Sequence, residues 1–304
     1  MSSQPQKKRL TTSAMIASIA AEGQPTVSAP FGHALVSLAE QRSDVVGLTA
    51  DLSKYTDLHL FAEAFPKRFY QMGMAEQLLM SAAAGMAREG FMPFVTTYAV
   101  FASRRAYDFI CMAIAEENLN VKIACALPGL TTGYGPSHQA TDDLAIFRGM
   151  PNLTIIDPCD ALEISQVIPA IAEHQGPVYL RLLRGKVPLV LDKYDYRYQH
   201  GKAQRLRGGK HAVIISSGLM TMRALEAAEA LEKQGIEVGV VHSPMIKPLD
   251  EETILREAGV ALHHNQLVIT AENHSITGGL GEAIAGLLMR NHVTPRFKQI
   301  ALPD

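Results

Sequence analysis

Two residues of proton-moving type stand out: Glu76 in Gly73-Met74-Ala75-Glu76-Gln77, and His138 in Gly135-Pro136-Ser137-His138-Gln139, about sixty positions later. Glu76 enters an apolar, small-residue segment that reads as a helix over 77–88. Its carboxylate is either desolvated for acid–base work or a favourable charge at the positive end of a helix dipole. His138 lies in a loop that bends freely, where an imidazole titrating near working pH can exchange protons or simply face solvent. Between them, Tyr98 and Phe101 in Thr97-Tyr98-Ala99-Val100-Phe101 stand three residues apart at a strand-to-helix junction. That spacing builds either a flat apolar wall or ordinary core packing. A carboxylate and a histidine flanking an aromatic patch suit proton handling around a flat heterocyclic cofactor.

Other residues have two readings each. Asp51, in Thr49-Ala50-Asp51-Leu52, follows a strand end, where ligands of parallel sheets gather, or it caps a loop. Arg184, in Leu183-Arg184-Gly185-Lys186, is a planar cation suited to phosphate, or a surface arginine before a linker. Asp142 and Asp143 have helix-start spacing and read as capping groups. The run Glu272-Asn273-His274-Ser275-Ile276-Thr277-Gly278-Gly279-Leu280-Gly281 follows a strand and opens a helix, the form of a phosphate-cradling loop.

These residues need a scaffold, and the chain is long enough for two domains at 304 residues, with 47% hydrophobic residues to fill their cores. Strand-like runs at 45–49, 94–97, 121–126, 153–156 and 178–181 alternate with helical stretches at 31–41, 77–88 and 101–116. This is the pattern of parallel α/β units. A polar, tyrosine-rich tract at 188–201 interrupts it. A shorter set follows: strands at 212–216, 237–241, 267–270 and 297–300, with a helix at 220–234. A net charge of −2 gives no electrostatic case for nucleic acid or an anionic membrane. No apolar run reaches the roughly 18 residues of a membrane span. Cys111, Cys125 and Cys159 show no metal-ligand spacing and read as reduced thiols of a cytoplasmic protein. Lys7-Lys8-Arg9 before the run 10–21 imitates a signal peptide, but Thr11, Thr12 and Ser13 weaken its apolar part, so a basic tail leading into a first helix is expected.

With their order and the text between them, the Gly73–Gln77 and Gly135–Gln139 segments resemble the pyrimidine-binding domain of transketolase and its thiamine diphosphate relatives. The rest resembles the transketolase C-terminal domain, and the whole resembles the small subunit of a split transketolase. The resemblance implies an α/β fold of two doubly wound parallel-sheet domains. A tail and first helix (1–24) would precede a pyrimidine-binding domain (25–188), a linker (189–206) and a C-terminal domain (207–304), with a further helix in relatives beyond Asp304.

In that family a glutamate hydrogen-bonds the pyrimidine ring nitrogen and favours the imino tautomer that deprotonates the thiazolium; Glu76 matches it. Tyr98 and Phe101 match the aromatic wall, and Asp51 a segment near the cofactor. His138 matches a histidine that assists proton transfer to substrate hydroxyls, and Arg184 a substrate-phosphate arginine. Arg104, beside Arg105, replaces a third aromatic and would either add a cation near the pocket or only change the wall. The glycine loop there packs the C-terminal domain against its neighbours, with His274 toward the active-site entrance.

Transketolases hold the diphosphate and its Mg²⁺ or Ca²⁺ through a separate domain with Gly-Asp-Gly, which this chain lacks. The resemblance therefore implies a partner subunit carrying that domain, in a heterotetramer with two copies of each chain. Sugar phosphates are the implied substrates. Tyr134 stands where transketolases have a hydroxyl-reading aspartate, Ala126 replaces a histidine, and Ser28 falls near a phosphate-contacting arginine. These departures imply ketol transfer with an altered donor or acceptor. The rival readings are a β-type subunit of a 2-oxoacid dehydrogenase or deoxyxylulose-phosphate synthase-like enzyme, and a catalytically silent regulatory subunit.

Overall fold

The computed structural model describes residues 19–20 and 23–304; most of the signal-like run and of the expected first helix lies outside them. Seven strands form the larger sheet: β2 (Val45–Thr49), β3 (Phe69–Gln71), β4 (Met92–Tyr98), β5 (Lys122–Ala126), β6 (Thr154–Ile156), β7 (Val178–Leu182) and β12 (Met245–Lys247). Their order is β12-β6-β7-β5-β4-β2-β3, parallel throughout except for the antiparallel β12–β6 edge. Near-continuous apolar strands suit a sheet covered on both faces. Neighbouring residues alternate between two cores, Val45 against Val46, Phe94 against Val95 and Ile123 against Ala124. One face carries α1 (Pro30–Gln41) and α7 (Ala161–Glu173); the other carries α3 (Glu76–Arg88), α4 (Ala99–Arg105) and α5 (Tyr107–Ile110). The short helices α2 (His59–Ala64) and α6 (Asp143–Arg148) complete this half, with a two-stranded antiparallel ribbon of β1 (Thr26–Ser28) and β8 (Lys186–Pro188).

The second sheet contains β9 (Gln204–Arg207), β10 (Ala212–Ser216), β11 (Val238–His242), β13 (Leu267–Ser275) and β14 (Arg296–Leu302) in the order β14-β13-β10-β11-β9. Only β9 runs antiparallel. Helices α8 (Leu219–Glu232), α9 (Glu251–His263) and α10 (Leu280–Arg290) pack on it. The doubly wound α/β reading therefore holds, and the halves are stitched together because β12, from the second half of the chain, closes the edge of the first sheet.

Two segments depart from expectation. The helix expected over 101–116 breaks at Ala106 and continues from α5 into a π-helical turn, Cys111–Ala115, where the Glu116 N–H reaches the Cys111 carbonyl at 2.9 Å. The wider turn keeps Ile110, Ile114 and Ala115 buried. The tyrosine-rich tract, expected as linker, is packed down onto α7. Tyr196 is buried and donates to Glu163, while the Val190 and Leu191 N–H groups donate to Asp160 at 2.7 and 2.8 Å.

In the larger sheet the chain passes from β2 outward to β3, then returns to β4 on the other side of β2. Ligands of open parallel sheets bind outside the carboxyl strand ends at such a reversal. The loops after β2, β3, β4 and β5 meet there.

Candidate active site

Glu76 is the first residue of α3, reached through a loop in which Gly73 takes a positive φ. Its carboxylate is only 4% exposed and accepts from Arg105 Nη1 at 3.2 Å. The half-exposed Arg105 guanidinium also lies 4.0 Å from the centroid of the Phe101 ring. Phe101 and Arg105 are four apart on α4 and so share a face. This link from carboxylate to aromatic wall was missed in the sequence reading, although the spacing signals it.

Phe101 lies 5.6 Å from Tyr98 and 5.3 Å from the His138 ring, which stands edge-on to it. His138 is also 5.8 Å from Tyr98 and 4.9 Å from Tyr134. Its Nδ1 meets Ser137 Oγ at 2.9 Å, leaving Nε2 as the ring atom for other exchange. Burial pushes the Tyr98 phenol above its ordinary value, so it remains a neutral donor. Glu76, Arg105, Phe101, Tyr98, His138 and Tyr134 thus form one contiguous group at the carboxyl ends of β3, β4 and β5.

Five other residues singled out in the sequence lie outside this group, Arg184 near enough for its charge to act on Tyr98. Asp51 has a φ of 59° after β2 and exchanges hydrogen bonds with Gln71, its N–H donating to Oε1 at 2.7 Å and Gln71 Nε2 donating to its Oδ1 at 3.2 Å. Nothing ties it to the aromatic group. Arg104 points to the loop end, where Nε and Nη2 donate to both oxygens of Asp142 at 3.0 Å. Asp142 therefore neutralises a cation and does not cap α6. Asp143 is fully buried and takes two bonds from Arg181, at 2.9 and 3.2 Å, and one from Tyr179 at 2.6 Å. Arg184 follows β7 and is 7% exposed, with Nε and Nη2 buried and unpartnered among the described residues. A guanidinium so placed has donors to give to an anion.

The assignment of His274 to substrate binding is corrected. Its side chain is fully buried beneath α6, where Nε2 accepts from the Leu144 and Ala145 N–H groups at 3.2 and 3.4 Å and Nδ1 donates to the Ser275 carbonyl at 2.8 Å. Burial, helped by the Arg181 charge, pushes the imidazole below its ordinary value, which fits this neutral tautomer. The glycine loop beside it holds no space for phosphate. Glu272 fills the α10 N-terminus, accepting from Leu280 N at 2.6 Å and Gly281 N at 2.8 Å, and Glu282 takes the Gly278 N–H at 2.8 Å. The loop packs instead on α6, with Arg148 donating to the Gly278 and Gly279 carbonyls.

Among the described residues, no three His, Cys, Asp or Glu side chains cluster as a metal site, and no helix is long and apolar enough to cross a membrane. Large apolar side chains next to Glu76 in the chain are exposed, Met74 at 83% and Leu78 at 53%.

Comparison with known proteins gives two family matches, "Transketolase, pyrimidine binding domain" over residues 23–190 and "Transketolase, C-terminal domain" over residues 201–304. The chain is 70% identical over 300 residues to an uncharacterized transketolase family protein, y4mN, of Sinorhizobium fredii, covering 98% of this chain and 86% of that protein. It is 37% identical to the 6-deoxy-6-sulfo-D-fructose transketolase subunit SqwH of a Clostridium species, covering 89% and 82%. A 1-deoxy-D-xylulose-5-phosphate synthase of Geobacter sulfurreducens is 35% identical, covering 93% of this chain but 44% of the synthase. A solved structure described as a split gene transketolase, inactive β4 tetramer, superimposes with a TM-score of 0.81 at 42% identity, covering 90% and 88%.

Proposed function

The chain belongs to the transketolase family, and from that premise we propose that it is the small subunit of a split transketolase that moves a two-carbon ketol unit from a ketose to an aldose. The observation that carries the reading is the single group formed by buried Glu76, the Tyr98–Phe101 wall and His138. Thiamine diphosphate, the cofactor of this family, supplies when bound the electron sink for cleaving a carbon–carbon bond beside a ketone.

The residues present fit one half of that cofactor. An aminopyrimidine needs an aromatic face and a shielded carboxylate at a ring nitrogen, and Phe101 and Glu76 offer both. Glu76 would hold a proton at that nitrogen, and His138 Nε2 would take and return protons at substrate hydroxyls. The other half needs hard oxygen ligands for Mg²⁺ or Ca²⁺ and donors for a diphosphate. The α10 N-terminus cannot serve, being filled by Glu272. We assign that half to a partner subunit, with two copies of each chain assembled. The exposed Met74 and Leu78, two residues to either side of Glu76 in the chain, support a covered flank.

Asp51 and Arg104 belong to the rim on this reading, and Arg184 is the anchor for an anionic end of the sugar. That anion is a phosphate, or a sulfonate as in the substrate named for the Clostridium relative.

The test is a ketol-transfer assay with thiamine diphosphate and Mg²⁺, on this chain alone and with its co-encoded partner, over xylulose 5-phosphate and other anionic ketoses. Activity is expected only in the mixture, and a ketose other than xylulose 5-phosphate should be fastest. Glu76→Gln should lower turnover by roughly 10²–10⁴-fold; near-normal turnover would remove its role. Decarboxylation of pyruvate by the mixture would instead support a synthase, the reading favoured by the Geobacter relative.

A further inference from the structure

His138 and Tyr134 stand on the segment 128–142, which closes at its base through the Gly129 N–H on the Ala140 carbonyl at 2.8 Å. Within it, Thr131 Oγ1 donates to the Pro128 carbonyl at 2.8 Å and Gln139 Nε2 to the Thr132 carbonyl at 3.1 Å. These bonds shape the loop without fixing it to the sheet.

Both of its stems are held by three consecutive residues of β13, from the other half of the chain. Asn273 Oδ1 accepts from the Leu130 N–H at 3.0 Å, and its Nδ2 donates to the Pro128 carbonyl at 3.4 Å. Ser275 N–H donates to the Thr141 carbonyl at 2.8 Å, and His274 Nε2 takes the Leu144 N–H just beyond. The fit is close: Gly129 has a φ of +56°, and a β-carbon there would stand 2.3 Å from the Asn273 carbonyl oxygen. β13 leaves its register with β14 between Ala271 and Ser275, so Glu272, Asn273 and His274 fall outside the regular ladder with that strand. The Asn273 carbonyl is itself fixed by Arg181 Nη2 at 3.0 Å.

We infer that Asn273 is a positioning residue: through Leu130 and Pro128 it sets where the loop presents His138 and Tyr134 to the aromatic wall, so the second half of the chain tunes the site in the first. The inference rests on the proposed role of His138 for its catalytic consequence, but not for the clamp itself.

Hydrogen–deuterium exchange on the full-length chain tests the clamp without activity. In Asn273→Ala, amides over 129–141 should exchange at least about tenfold faster, the scale of the two hydrogen bonds lost, while β4 and β5 stay protected. Asn273→Asp keeps an acceptor for Leu130 but loses the donor to Pro128, and should lie between; it also serves if the alanine variant folds poorly. Unchanged loop exchange in a folded variant overturns the clamp.

The consequence is read in the reconstituted complex. Asn273→Ala should lower kcat about as much as His138→Ala, leave the thiamine diphosphate half-saturation unchanged, and add little in the double variant. A loosened loop with wild-type kcat, where His138→Ala is slow, overturns positioning. If His138→Ala is itself as fast as wild type, the proposed role of His138 fails while faster exchange still supports the clamp.

Discussion

Arg181 offers the most quantitative test of how the two halves are joined. It lies in β7 with 1% of its side chain exposed, and four of its bonds are visible. Nε and Nη2 hold Asp143 at 2.9 and 3.2 Å, Nη1 holds Asp157 at 3.0 Å, and Nη2 also reaches the Asn273 carbonyl at 3.0 Å. Asp143 and Asp157 are buried too, so Arg181→Leu strands two carboxylates away from water with no cation between them. Breaking one partner out of a buried ionic group costs about 3–5 kcal/mol, a large share of the 5–15 kcal/mol that holds a typical domain together. Arg181→Lys restores the charge but not the planar fork, and one ammonium cannot satisfy two carboxylates and a carbonyl, so it should recover about half. The assay is urea unfolding of the full chain, followed by circular dichroism and by tyrosine fluorescence. In Arg181→Leu the two signals should also cease to coincide, because the bond tying β7 to Asn273 is lost. A loss below ~1 kcal/mol with coincident transitions would refute the reasoning, because the buried carboxylates would then be tolerated without their cation.

Lys122 is fully buried at the start of β5, with its ammonium on the His174 and Gly176 carbonyls at 2.8 and 2.9 Å. Burial, with a smaller contribution from Arg42, pushes it down to about 7 from its ordinary 10.5, so between those values the unfolded chain keeps a proton the folded chain has released. Stability should therefore rise with pH from about 7 to 9, and Lys122→Met should flatten that slope in thermal melts taken across the range. A β-carbon on Gly279 would lie 1.9 Å from Glu272 Oε2. Gly279→Ala should displace the carboxylate from two N–H donors and cost at least ~2 kcal/mol, and Glu272→Gln in the same chain should add little to that loss in urea titrations.

Local sequence carried much of this site and long-range sequence very little. The alternation of buried strands with amphipathic helices gave the α/β class because both faces of each strand are covered. Glu76, Tyr98 and Phe101 were legible because each sits within a few residues of a strand's carboxyl end. Asn273 was not, since its partner Leu130 is 143 residues away and nothing in either segment announces the other. β12 escaped for the same reason: three residues pairing with β6 have no periodicity of their own. Asp142 and Asp143 misled because acidic residues before a helix do commonly cap it. Here Arg104 and Arg181 compete for their oxygens, and a charged donor outweighs a backbone N–H. The glycine loop has the form of a phosphate cradle while the resemblance implies packing, and the structure packs it on α6. Its N–H groups are arranged for an anion, but the chain supplies its own in Glu272.

That last substitution bears on why the active-site reading needs a second chain. A helix N-terminus occupied by its own carboxylate has no donors left for a diphosphate, whereas Arg184 has two buried donors unspent on the sugar side. On the proposed function, this chain would handle protons and an anionic sugar end and leave the cofactor's anionic tail to the partner. Arg105 adds a second constraint. It is half exposed while paired with a carboxylate that is almost wholly buried, so solvent reaches this pair from the Arg105 side, and Met74 and Leu78, two residues to either side of Glu76 in the chain, are exposed. Covering those apolar side chains would remove the water that screens the Arg105–Glu76 pair and strengthen every hydrogen bond Glu76 makes. On this reading, docking of the partner and activation of Glu76 are one event. The clamp on the His138 loop then has a purpose before assembly: it fixes one wall of the pocket, so that the partner need only close the other.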